Sequence, residues 1–122
     1  MPTVWGTTSH VKIANGQTTS GELDCRGMIL EAIQLPAAFT GTTLSFVQAE
    51  VPAKEGGVFS NNVKYLNTLA ATTFTITGLV ANDCVYFNGT TLPDGLMNGI
   101  IKIVSGSAEG ADRDLICYLR PM

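Results

Sequence analysis

Apolar and polar positions alternate with a period of two along most of this chain, in short runs broken by Gly, Pro and Asn. That is the pattern of strands joined by tight turns. HVKIA sets Val11 and Ile13 on one face and stops at the turn pair Asn15-Gly16. QTTSGELDCRG is polar and turn-rich. In MILEAIQL, Ile29, Ile33 and Leu35 share a face, with Glu31 as the odd member. The apolar run ends at Pro36, crosses the small-residue bend AAFTG and resumes in TTLSFVQAEV. There Leu44 and Phe46 face one way, and Val47, Ala49 and Val51 the other. Apolar residues on both faces predict burial on both sides near that strand's end.

PAKEGGVFSNN reads as a loop and VKYLNTL as a short strand. TTFTITG points Phe74 and Ile76 inward and Thr73, Thr75 and Thr77 outward. DCVYFNG is a further strand, ending at Asn88-Gly89. TLPDGLMNG is a loop with room for one helical turn around Leu92–Met97. IIKIVSG and DLICYLRP close the chain, with Ile101/Ile103 and Leu115/Cys117/Leu119 as inward sets. No 3.6-residue periodicity is sustained. The prediction is an all-β, single-domain antiparallel β-sandwich, jelly-roll-like, of about eight strands. Residues 1–9 have no such pattern and are read as an extended N-terminal arm, which leaves 10–122 as the sandwich domain. Trp5, the single Trp, either packs back on its own domain or anchors in a neighbouring subunit.

Composition sharpens this picture in one respect. Of 122 residues, 45% are apolar and only 14% charged, where a soluble domain of ordinary composition carries roughly 25% charge. A surface short of charge suits a chain whose faces are covered by partners. The seven basic residues are scattered and the net charge is −3, so no positive footprint for nucleic acid exists. No run reaches the roughly 18 apolar residues of a membrane span, and MPTVWGTTSH has neither the basic nor the apolar region of a signal peptide. Cys25, Cys84 and Cys117 are expected as reduced thiols, with Cys84 and Cys117 acting as small core residues. A Cys84–Cys117 disulfide is the alternative.

Candidate chemistry is thin. A nucleophilic site would have to be built on His10, the single His, and Ser9 beside it points to the opposite face of a strand. A glycosidase pair would need facing carboxylates beside aromatic platforms, and aromatics are 7% of the chain. The acidic turn EGADRD (Glu109–Asp114) has clustered oxygens but not the ligand cadence of a calcium loop, and Arg113 at its centre favours an ion pair or turn cap. No CxxC or HExxH occurs. No catalytic, cofactor or metal residue is assigned, and the chain is expected to be non-enzymatic. Trp5, His10, Val11, Phe59 and Tyr65 are candidates for contact with neighbouring subunits. Trp5, Phe59, Tyr65 and Tyr86 are the aromatics that a sugar-binding surface would have to assemble.

Two stretches, IANGQTTSGELDCRGMILEAIQLPAAFTGTTLSF (Ile13–Phe46) and GIIKIVSGSAEGADRDLICYLRP (Gly99–Pro121), together resemble the small β-sandwich structural proteins of tailed-bacteriophage particles. The resemblance spans about half the chain; Val58–Leu92 lies outside it. It implies a capsid decoration (cement) protein, a homo-oligomer with a trimer favoured, whose partners are the major capsid protein or other virion proteins. Its place would be the capsid surface of a virion assembled in the bacterial cytoplasm. It implies no catalytic residues. The alternatives are a tail, baseplate or fibre-base component and a carbohydrate-binding host-recognition module. Within the two stretches, Pro36 and Gly41 shape a corner, and Arg113, flanked by Asp112 and Asp114, is placed to pin the last turn to the sheet.

Overall fold

A computed structural model describes residues 7–59, 61–62, 64–65, 72–73, 75–86 and 99–121. The strands are β1 (Thr7–Ile13), β2 (Leu23–Asp24), β3 (Met28–Gln34), β4 (Leu44–Ala49), β5 (Asn61–Asn62), β6 (Lys64–Tyr65), β7 (Thr72–Thr73), β8 (Thr75–Ile76), β9 (Cys84–Tyr86), β10 (Ile100–Ser105) and β11 (Arg113–Pro121), with one 3-10 turn at Ala53–Glu55. One sheet runs β1-β11-β3-β9. The other runs β2-β10-β4, with β5 and β8 sharing the far edge of β4, and β6 pairs with β7 as a separate ribbon. All pairings are antiparallel.

This order follows from winding a long hairpin around a barrel axis. The first strand pairs with the last (β1 with β11), the second with the next-to-last (β2 with β10), β3 with β9, and β4 with the β5/β8 edge. Four such nested pairs make a jelly roll. The expected β-sandwich of jelly-roll type is therefore what the chain forms. Its two sheets enclose one hydrophobic cluster, supplied by Val11, Leu30, Ile33, Leu115 and Cys117 from one side and Leu23, Leu44, Phe46, Ile101 and Ile103 from the other. Phe39 and Leu79 close it at the end where the Pro36–Thr43 corner lies.

Three local readings change. β1 begins at Thr7 rather than His10, so Thr7, Thr8 and Ser9, expected in the arm, pair with Leu119, Tyr118 and Cys117. Their polar side chains hid an edge strand whose outer face needs no apolar residues. In β3, Leu30 and not Ile29 points inward with Ile33 and Leu35. The register against β11 slips between Tyr118 and Leu119, which face Ala32 and Leu30 and leave Glu31 unmatched. That is a β-bulge at Glu31, and one extra residue reverses the alternation on either side of it. Val11, proposed for subunit contact, is 5% exposed in the domain's own core opposite Leu115 and has no surface to offer a neighbour.

Other expectations hold: Ile76 is buried between exposed Thr75 and Thr77, and the Ile101/Ile103 and Leu115/Cys117/Leu119 sets face inward. Residues 1–6 with Trp5, the Tyr65 side chain, Phe74 and the helical turn at 92–97 lie outside the described residues.

Candidate functional site

The stretches Ile13–Phe46 and Gly99–Pro121 meet at one end of the sandwich, and Glu109 joins them. Its side chain is wholly withdrawn from solvent. Oε1 accepts the Thr40 N–H at 2.9 Å and the Arg113 Nε–H at 3.0 Å. Oε2 accepts the Gly41 N–H at 3.1 Å and the Ser105 hydroxyl at 3.3 Å. The Glu109 main chain ties in a third segment: its carbonyl accepts the Gly16 N–H at 2.7 Å and its N–H donates to Gln17 O at 3.1 Å. Gly16 can serve there because it sits at φ +81° in the turn closed by Gln17 N to Ala14 O.

Local sequence explains why a carboxylate settles in this position. The Pro36–Thr43 corner closes one turn with its own Phe39 N–H on Pro36 O, and the next two N–H groups, of Thr40 and Gly41, find their acceptor in Glu109, as buried donors must. Gly41 has no side chain because a Cβ there would run into Ser105 Oγ and the Phe39 ring. Burial works to raise the Glu109 pKa, but the bonds from the Thr40 N–H, the Arg113 guanidinium and the Gly41 N–H outweigh it and hold the carboxyl below its ordinary range. With four donors on two oxygens, this carboxylate has no role left in proton transfer.

Arg113 thus does pin the last turn, but through Glu109 rather than its flanking aspartates. Asp112 instead accepts the Asn15 N–H at 2.9 Å and lies 3.8 Å from Lys12 Nζ. The acidic residues of the turn diverge to separate partners. Among the described residues, no three His, Cys, Asp or Glu side chains gather as metal ligands.

The remaining candidates lie apart. His10 is exposed on the outer face of the β1-β11-β3-β9 sheet, opposite Ile116. Phe59, in the loop before β5, is half-buried, with Lys102 Nζ of β10 4.6 Å from its ring centroid, a cation–π contact. Cys84 and Cys117 cannot form the alternative disulfide. Cys117 aligns with Ile33 and Val85 facing the core, whereas Cys84 aligns with Gln34 and Ile116 on the opposite face. All three thiols are free. The buried partner near Cys117 is Cys25, and burial pushes both thiols up to about 12.

One arrangement was not foreseen. Tyr118 and Tyr86 stand on either side of Ala32 in a single cross-strand row on the outer face of the first sheet. Tyr118 is marked as outward by its place between Cys117 and Leu119, but only the strand order brings it beside Tyr86. Comparison of the chain with protein-family models, curated proteins and solved structures found no match.

Proposed function

We propose that this protein is a non-catalytic structural component of a tailed-phage particle, and specifically a capsid decoration protein that bridges capsid subunits as a homo-oligomer. The observation that carries the reading is the meeting of the two resembling stretches at Glu109, 69 and 68 residues from the N–H groups it binds. Residues of both stretches are here occupied in holding the framework: a corner, a strand end and a turn lock one another. The jelly roll supports the same reading, because it is the sandwich the resemblance implies. The low charge of the chain suits a domain whose faces are covered in an assembly.

In this role the rigid end built on Glu109 fixes the sandwich, while the loops and the sheet faces supply contact with the shell. A trimer suits the three-fold positions of an icosahedral lattice. Each subunit would need on the order of 1,000 Å² of total contact for specific, lasting attachment.

The test is the copy number per purified virion, by quantitative mass spectrometry against the major capsid protein. A ratio near one to one is expected for a decoration protein. A few to a few dozen copies would transfer the protein to the tail or a vertex. Absence from particles would overturn both.

A further inference from the structure

We infer that the outer face of the β1-β11-β3-β9 sheet is a binding surface for a neutral glycan, with Tyr86 and Tyr118 as its stacking platform. The inference does not depend on a particle role; it holds equally for a free domain.

Four successive strands place Thr8, Tyr118, Ala32 and Tyr86 in one row. Tyr86 is 69% exposed and Tyr118 38%, yet Ala32 between them is only 2% exposed although it lies on the outer face. The register sets the two tyrosines directly beside this small residue, one on each neighbouring strand. The result is a flat apolar strip about 10 Å across, the spacing of two inter-strand steps.

The chemistry of this strip selects its ligand. An aromatic face is electron-rich, and the C–H face of a pyranose ring is its natural complement. Polar groups border the strip where sugar hydroxyls would emerge: Gln34 and His10 along one side, the Glu31–Arg120 ion pair (3.1 Å) along the other. Charge on the face is balanced. Lys12 lies opposite Asp114 and 3.8 Å from Asp112, and Arg120 bonds Glu31, so each basic group has a carboxylate beside it. Among the described residues both bases of this face are already paired with carboxylates, which points to a neutral ligand.

A second copy of the chain fits less well. Two tyrosines bury at most about 200 Å² each, whereas a stable protein interface takes about 800 Å² from each partner. The strip is the size of a short oligosaccharide.

The experiment screens the intact protein against immobilised neutral glycans. Isothermal titration then uses hexamers of β-1,4-linked glucose, β-1,4-linked N-acetylglucosamine and α-1,4-linked glucose. Binding of at least one, weakened about tenfold or more by Tyr86→Ala and by Tyr118→Ala, is expected. Tyr118→Phe keeps the stacking face and should stay within about threefold. Circular dichroism and the thermal midpoint check each variant's fold; if Tyr118→Ala does not fold, the more exposed Tyr86→Ala carries the test. The inference is overturned if no neutral glycan binds, if only charged glycans bind, or if binding ignores both substitutions. Sedimentation velocity supplies one more overturning result: self-association that Tyr118→Ala abolishes would give the strip to a second copy instead.

Discussion

Replacing Glu109 by Gln keeps its shape and removes its charge, and the structure gives the consequence. Both carboxylate oxygens accept two bonds, Thr40 N–H and Arg113 Nε–H on one, Gly41 N–H and the Ser105 hydroxyl on the other. A glutamine has one accepting oxygen. Whichever way its amide turns, one main-chain N–H of the corner loses its acceptor; a buried donor left in this way costs about 1–3 kcal/mol. The surviving main-chain and hydroxyl bonds become neutral ones, roughly half as strong. Arg113, whose side chain is 16% exposed, loses its ionic partner but can reach water, which keeps the total below the 3–5 kcal/mol of breaking a sealed pair. The expected loss is about 2–4 kcal/mol. For a chain this long that lowers the thermal midpoint by roughly 10–15 °C.

Urea denaturation measures the free energy, and native-state hydrogen exchange should show the Thr40 or Gly41 amide losing protection. The pH profile adds an independent check. The folded Glu109 titrates below the ordinary carboxylate range, so its contribution is complete above the unfolded pKa and disappears as pH falls through the folded one. The Gln variant should therefore lose less stability between neutral and acid pH than the parent. A loss under about 1 kcal/mol, with both amides still protected, would refute the reasoning, since it lies below the cost of one orphaned donor.

Other outcomes follow from the same structure. Phe46→Ala, at a fully buried ring, should cost about 3–5 kcal/mol in urea unfolding, and a loss below about 1 kcal/mol would mean its cavity is not the closed one described. Gly41→Ala forces Ser105 away from Glu109 and should cost about 1–3 kcal/mol, measured by thermal melting. In a thiol-labelling time course, Cys84, half-buried on an outer face, should react in the native protein. Cys25 and Cys117, both buried with thiols near 12, should react only on unfolding. Removing residues 1–9 deletes the Thr7, Thr8 and Ser9 pairs with β11 and should destabilise the domain measurably, whereas removing 1–6 spares every β1 pair.

Alternation was enough to reveal the fold because most strands here are paired on one face and wet on the other. Leu44/Phe46, Ile101/Ile103 and Leu115/Cys117/Leu119 each show that difference in sequence. It failed where a local irregularity intervened: the bulge at Glu31 exchanges Ile29 for Leu30, and nothing in MILEAIQL marks the extra residue. Glu109 was legible only as part of an acidic turn. Its burial is created by donors on a corner far away in sequence, and no local pattern encodes that. The Tyr86–Ala32–Tyr118 row needs the order of three strands before its members can be seen as neighbours.

The nested pairing has a consequence for how the protein is made. β11 lies between β1 and β3, and Thr7 pairs with Leu119. Until Arg113–Pro121 has left the ribosome, the first strand lacks its seven-residue ladder partner and half of the sandwich has no centre. Contacts so distant along the chain make folding slow, in the millisecond to second range. During that interval the apolar faces of β3 and β4 are open to other chains. Synthesis of this strand is therefore the step that commits the whole domain, and a chain cut short before it is one for proteases.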